Sequence, residues 1–437
     1  MKRAPLLALV IVAAAAVGGG VLVASALSGG TGPNAGASTS PGASGQLPGG
    51  TGHGGSGAPG GSAGPTAAGS GGTGAGGTGA GGPSSSPAAS SPAASPSAAP
   101  ASAAPTPSPR PLLVPAPLTG RLVAPAIAAR HPIAVMIDDL APARPQSGFS
   151  AASIVWQAPA EGGIPRYMMI FQDTDPGAVG PVRSSRYYFI AWAAEWRAAY
   201  AHAGGSPQAL STLAAQGHGQ LVYNLEGLDY GPPQFIRITS RFAPHNLYTS
   251  GTELRLLARA AGATTPPPTQ VWQFAPDVPL AQRPTGGHIQ VLYPANRIDY
   301  AYDRATNTYL RSVSWGQPET DAATGKRVAP KNVVIMLMYF GPLNDGQPAK
   351  GRLEATVVGS GPAWIATNGR TIKGTWVKKS LTSPTIFRNS DGRPVTFTIG
   401  QTFIQVLPYG SSITIADGKL PPAPRPNLRT GPRMIAR

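Results

Sequence analysis

The chain has 437 residues, no cysteine and a formal net charge of +16. The missing thiols exclude disulfides, zinc–thiolate centres, cysteine nucleophiles and lipid attachment through an N-terminal cysteine. The positive charge is scattered, without a dense Lys/Arg run interleaved with aromatics. It favours anionic partners in general, and no specific nucleic acid binding is expected.

Lys2 and Arg3 precede an uncharged segment of 23 residues, Pro5 to Leu27, about the length that spans a hydrocarbon core as a helix. Positive charge stays in the cytoplasm, so residues 1–27 read as a single membrane anchor with everything downstream extracytoplasmic. The alternative is a signal peptide cleaved after Ala24-Ser25-Ala26, with the rest secreted. From Ser28 to Pro109 every residue is Gly, Ala, Ser, Thr or Pro apart from Asn34, Gln46, Leu47 and His53. Such a stretch has almost nothing apolar to bury against its ordering entropy, which predicts a disordered linker over 28–111. Only Lys2, Arg3 and Arg110 of the 34 basic residues precede position 111, and all 18 acidic residues lie at or after Asp138. The remaining part therefore carries 31 basic against 18 acidic residues, a net of +13.

The first folded region is expected over 121–262. Residues 131–139, "HPIAVMIDD", read as a buried strand ending in two acids, followed by strands near 152–161 and 166–173 around the turn "EGGIP". Ser184 or Ser185 is placed to cap a helix from about Arg186 to Tyr200, with Tyr188, Trp192, Trp196 and Tyr200 as its core-facing stripe. A strand then leads to a Gly-Gly turn and a helix opened by Ser206 and Pro207 and stopped by Gly217. After the strand "QLVYNLEG", Thr249 or Ser250 starts a last helix that ends near Gly262. "TTPPPT" breaks the chain, and a second region over 270–410 consists of short strands with "NGR" and "DGR" as hairpin turns. A Pro/Arg-rich tail over 411–437 reads as mobile. The expected fold class is α+β: a layered α/β domain followed by a mostly antiparallel β domain, preceded by a transmembrane helix and a linker.

Polar residues gather at the turns of the first region: Arg144 and Gln146, Glu161 and Arg166, Arg183, Ser184 and Arg186, His202 and Ser206, and Arg241, His245 and Asn246. In a layered α/β domain, strand ends and helix starts meet at one edge of the sheet, where ligands sit. Guanidinium groups there suit a carboxylate or phosphate. The bland reading pairs Arg183 and Arg186 with nearby acids and gives His202 and His245 structural hydrogen bonds. The strand-end pair Asp138 and Asp139 reads as turn formers, or as acid/base or cation-binding carboxylates. No G-x-S-x-G elbow, P-loop, H-E-x-x-H or G-x-G-x-x-G strand–helix signature is present. No cofactor and no metal site is expected.

The ordered segments "ARPQSGFSAASIVWQAPAEGGIPRYMMIFQ", "GPVRSSRYYF", "HAGGSP" and "RFAPHNLY" resemble the N-terminal domain of the YerB-like bacterial lipoproteins, a family of unknown function. "NVVIMLMYF", "GTWVKKS" and "FTIGQTFIQVLP" resemble its C-terminal domain, so the likeness runs from about His131 to Pro408. The resemblance implies a two-domain cell-envelope protein and supports a shared ligand site at the polar turns. It assigns no activity and no catalytic residue. The family's lipid-bearing cysteine is missing here, and the apolar segment takes its place as anchor.

The leading expectation is a membrane-tethered module that binds an anionic envelope ligand such as a wall glycan, peptide stem or phosphorylated polymer. Arg144, Arg166, Arg183 and Arg186 would supply charge, and Ser184, Gln146 and Asn246 would orient the ligand. One alternative is a hydrolase or transferase on envelope polymers, with Glu161 or His202 as general acid/base. The other is a protein-interaction scaffold.

Overall fold

Residues 112–264 and 271–422 are described by a computed structural model. The apolar segment at 5–27, the linker over 28–111 and the last part of the tail lie outside the described residues. Among the described residues no helix is long and apolar enough to cross a membrane.

Strands β1 (Ile133–Asp138), β2 (Ile154–Pro159) and β3 (Pro165–Phe171) are buried along their whole length, as expected of apolar runs covered on both faces. β1 and β2 run side by side with β3 antiparallel between them. The turn from β2 to β3 requires Gly163, which has a φ of 71°. A Cβ there would also stand 2.5 Å from Pro294 of the second region. β4 (Ala199–His202) and β5 (Tyr223–Glu226) extend the sheet in parallel beyond β1.

The second region supplies β6 (His288–Tyr293), β7 (Asn296–Asp303), β8 (Thr308–Val313), β9 (Gln317–Pro318) and β10 (Asn332–Met338). It continues with β11 (Gly359–Thr367), β12 (Arg370–Lys378), β13 (Ile386–Asn389), β14 (Thr402–Pro408) and β15 (Ile413–Ala416). β14 lies between β10 and β2 and pairs in parallel with both, for example Thr402 opposite Ile154. One ten-stranded sheet therefore crosses both regions, in the order β13-β12-β11-β10-β14-β2-β3-β1-β4-β5. A second, antiparallel sheet has the order β9-β8-β7-β6-β15. Residues 413–416, expected in a mobile tail, form its edge strand against β6.

The described residues are mostly β with few helices. On one face of the large sheet lie α1 (Tyr187–Ala193) and α2 (Pro207–Gln216), whose Trp192 and Leu213 share a core with Trp156, Met336 and Val406. The other face packs on the second sheet and on α3 (Gly251–Ala260), joining Val135, Tyr167 and Phe403 to Val291, Tyr300 and Leu254.

The expected helix over 186–200 ends early. Its α-helical part stops at Ala193, a short tighter turn follows, and Arg197 enters the left-handed region at φ 46°. The Arg197 guanidinium holds this exit by donating to the Gly219 carbonyl at 2.9 and 2.6 Å. Tyr200 thus belongs to β4, where pairing with β1 outweighs the four-residue spacing. Neither Ser184 nor Ser185 caps α1. Arg186 holds the cap position, and Ser185 Oγ bonds Tyr200 Oη at 2.8 Å.

Elsewhere local chemistry decides. Ser206 accepts from the Ala209 N–H at the start of α2, and Ser250 from the Glu253 N–H at the start of α3. Ser250→Ala is expected to cost about 1 kcal/mol of stability, read by urea unfolding. Asn368 and Gly369 turn β11 into β12 with both φ values positive, as the "NGR" signal requires.

Candidate functional site

The C-terminal ends of β1, β2, β4 and β5 and the start of β3 share one edge of the large sheet. Asp138 and Asp139, at the end of β1, divide the polar residues of that edge into two groups.

Asp138 is buried, and its Oδ2 accepts from His245 Nδ1 at 2.6 Å, which places the His245 proton on Nδ1. Arg183 Nε stands 3.2 Å from the same oxygen but off hydrogen-bond geometry, so that contact is Coulombic. Arg166, opposite Asp138 in the ladder, donates from Nη1 to the Ser184 carbonyl at 2.9 Å. Its Nε is buried without an acceptor. Arg186 donates from Nε to Glu161 Oε1 at 2.6 Å and from Nη1 to the Ser185 carbonyl, with Nη2 also against Glu161. Arg352, from the second region, lies 4.0 Å from Glu161 and is neutralised by Asp345 at 2.6 Å. Three guanidinium groups thus share two carboxylates.

Charge balance shows in the proton affinities. Burial pushes the Arg166 guanidinium down and the neighbouring Arg186 adds to this, giving a pKa of about 10 despite Glu161 and Asp138. Burial pushes the Glu161 carboxyl up, but the hydrogen bond and charge of Arg186 with the charge of Arg166 hold it below its usual 4.5. Because the folded value is the lower one, Glu161 stabilises the fold fully above pH 4.5 and loses that contribution as the pH falls through the folded value. Glu161→Gln is expected to cost about 1–3 kcal/mol at neutral pH, since Arg186 loses its counter-charge. Urea unfolding across the acid range should show the difference from the parent shrinking as Glu161 protonates.

The second group surrounds Asp139. Arg144 donates to its Oδ1 from Nε at 3.0 Å and Nη2 at 2.8 Å, and Gln157 donates to its Oδ2 at 2.7 Å. Burial nevertheless raises the Asp139 pKa, outweighing Arg144 and Arg311. Gln157 continues to a fully buried Arg311, which donates to Gln157 Oε1 at 2.6 Å and Tyr300 Oη at 3.0 Å and pairs with Glu319. The guanidinium carbon lies 5.3 Å from the Tyr167 ring centre and 5.4 Å from that of Phe403.

The remaining sequence candidates have structural partners. His202 is fully buried, with Nδ1 at 2.9 Å from the Gly204 carbonyl and Nε2 at 2.7 Å from Asn224 Oδ1. Ser206 caps α2. Arg241 donates to the carbonyls of Ala143 and Pro145, holding the loop that presents Arg144. Asn246 links Arg237 and Ile238 across a short hairpin. By contrast, half-exposed Ser184 has no hydrogen bond from its hydroxyl among the described residues, and His245 none from Nε2. Sequence reasoning placed Asp138 and His245 in separate groups and did not single out Arg311, although Arg311 shares the inward face of β8 with Tyr309 and Val313.

Residues 118–264 match the family "Protein of unknown function (DUF3048) N-terminal domain", and residues 289–404 match its C-terminal domain. The chain is 32% identical over 309 residues to "Putative lipoprotein YerB" of Bacillus subtilis, covering 70% of this chain and 89% of that protein. The crystal structure of Bacillus subtilis YerB superposes with a TM-score of 0.61 at 30% identity, covering 69% of this chain and 99% of the other. Two adjoining family matches and a relative similar over most of its length agree: the chain belongs to the DUF3048 family of YerB-like proteins.

Proposed function

We propose that this protein is a membrane-tethered, extracytoplasmic module that binds an anionic group of a cell-envelope polymer at the edge formed by Arg166, Arg183 and Arg186. The observation that carries this reading is the excess of guanidinium over carboxylate in a partly buried cluster. Arg183 is half-buried, its only ion pair is the loose one to Asp138, and its terminal nitrogens have no partner among the described residues. Arg166 Nε is likewise unpartnered, and the Ser184 hydroxyl beside it is free to donate. A phosphate or carboxylate would receive the Arg183 terminal nitrogens and the Ser184 hydroxyl, and its charge would offset the repulsion between buried Arg166 and Arg186. The extracytoplasmic location is supported by Lys2 and Arg3 before the apolar segment and by the lipoprotein name of the Bacillus relative. With no cysteine to carry a lipid, the apolar segment is the anchor and residues 28–111 the tether.

Arg183→Ala is expected to weaken binding of inorganic phosphate, glycerol phosphate or a muropeptide by about ten- to a hundred-fold while the protein stays folded. Isothermal titration calorimetry decides it, and equal affinity in the variant would return Arg183 to a purely structural role.

A hydrolytic reading rests on one further observation, the hydrogen bond from His245 Nδ1 to buried Asp138. That bond orients the ring and leaves Nε2 to accept a proton beside the guanidinium groups. His245 suits that role better than Glu161, which its arginine neighbours hold ionised, or His202, whose two nitrogens are occupied. Absence of turnover of muropeptides and phosphodiesters by the unmodified protein would dismiss it.

A further inference from the structure

Beside the guanidinium edge, on the second region, lies a cavity of about 470 Å³ that the anion reading does not use. That volume falls within the range of small-molecule clefts. Phe340, Pro342, Leu343 and Leu353 form its apolar wall, and Asp345 and Arg352 are its charged residues. Pro342 is exposed, and Phe340 and Leu353 are half-buried, so these residues keep surface open to an occupant.

The wall is a pinned loop. Residues 340–342 pair antiparallel with 353–355, Pro342 opposite Leu353, and the Leu343 N–H extends the pairing by donating to the Arg352 carbonyl at 2.8 Å. Within the loop Gly346 and Gly351 take φ values of 74° and 57°, a conformation that side chains disfavour. Asp345 accepts from Arg352 Nη1 at 2.6 Å and from the Gln347 N–H at 3.0 Å. The loop is therefore held from within, and the carboxylate on the wall is neutralised.

Two contacts join this wall to the arginines. Arg352 Nε lies 4.0 Å from Glu161 Oε1, the oxygen that accepts from Arg186 Nε. The Phe340 ring packs edge-on at 5.5 Å against Tyr188, which follows Arg186 by two positions on α1. Arg352 thus belongs to both features: it lines the cavity and approaches the carboxylate that holds Arg186. Its Nη2 has no partner among the described residues. A ligand whose charge sits at the edge has a path past Arg352 for an apolar arm.

The wall presents four apolar residues, and its acid is already paired. It suits a hydrocarbon chain better than a charged or hydroxylated group. We propose that the anion recognised by this protein is a phosphate esterified to an acyl or prenyl chain. The phosphate is held by Arg183 and Ser184, and the chain lies in the cavity against Phe340, Pro342 and Leu353. The envelope polymer bound at the edge is then one that carries such a lipid. This inference rests on the anion reading and adds the chemical class of its ligand.

The test is isothermal titration calorimetry on the full chain in a neutral detergent, with methyl phosphate and hexyl phosphate as probes. Hexyl phosphate is expected to bind about ten-fold tighter than methyl phosphate, because each methylene taken out of water adds to affinity. Leu353→Ser and Pro342→Ser should each bring hexyl phosphate close to methyl phosphate and leave methyl phosphate unchanged. Pro342 is exposed, so its variant keeps the test decisive if Leu353→Ser fails to fold. Arg183→Ala should weaken both probes in the same proportion. Equal affinity of the parent for the two probes overturns the inference while the anion site stands. So does a gain for hexyl phosphate that survives both serine variants. Hexyl phosphate binding untouched by Arg183→Ala would separate the cavity from the edge and also overturn it. N-acetyl-leucyl-leucine, an anionic apolar dipeptide, is the third probe, and tighter binding of it than of hexyl phosphate would give the cavity to a peptide instead. If neither phosphate binds, the anion reading falls and this inference with it.

Discussion

Arg311→Leu is expected to destabilise the protein by about 3–5 kcal/mol, the usual cost of removing one partner from a buried ion pair. Arg311 sits between the two sheets with no exposure, and its removal leaves Glu319 charged, buried and held only by the Tyr167 hydroxyl among its side-chain donors. The aromatic contacts to Tyr167, Tyr300 and Phe403 are lost with it. The double variant Arg311→Leu/Glu319→Leu should recover much of the loss, because an apolar pair carries no uncompensated charge. Equilibrium urea unfolding of the three proteins is the measurement. A single variant within 1 kcal/mol of the parent, or a double variant no better than the single, would mean that water reaches this network.

Lys378→Met is expected to cost about 3 kcal/mol or more for a related reason. Lys378, on β12, donates to Glu195 at 3.0 Å and to the Ser383 carbonyl at 2.5 Å, and both charged side chains are buried. Glu195 belongs to the short turn after α1, so this pair fastens the first region to the second away from the shared strands. The Thr385 N–H and hydroxyl would still donate to Glu195 in the variant, but no positive charge would face it. Differential scanning calorimetry should show one lowered transition. Two separate transitions would indicate that the regions unfold independently once the pair is cut.

The parts of this fold legible in the sequence are those set by local chemistry. Apolar runs bounded by turns gave β1, β2 and β3, serines at helix starts gave the caps of α2 and α3, and "NGR" gave the hairpin between β11 and β12. What was not legible depends on pairing far along the chain. Nothing in "TFIQVLP" says that β14 inserts beside β2, about 250 positions earlier, and in parallel. The spacing of Tyr200 looked helical because period-four and strand patterns overlap over a few aromatics, and only the ladder with β1 decides.

The site divides in the same way. Residue types at turns were enough to gather Arg166, Arg183, Arg186 and Glu161 at one edge. They could not say that Asp138 would take His245 while Asp139 took Arg144, because adjacent strand residues point to opposite faces. Arg241 carries the same group as Arg183 and Asn246 is as polar as Ser184, yet the two are spent on backbone carbonyls and a hairpin. Only three-dimensional accounting of donors and acceptors separates a satisfied arginine from an available one.

The most direct test of the anion site is the melting temperature of the full chain against inorganic phosphate at fixed ionic strength, in parallel with Arg183→Ala. A specific site occupied at a hundred times its dissociation constant stabilises the native state by about 2.7 kcal/mol, a rise of a few degrees for a protein of this size. A saturable rise is expected in the parent and none in the variant. A rise that never saturates, or one identical in both proteins, would contradict an anion site at the Arg166–Arg183–Arg186 edge.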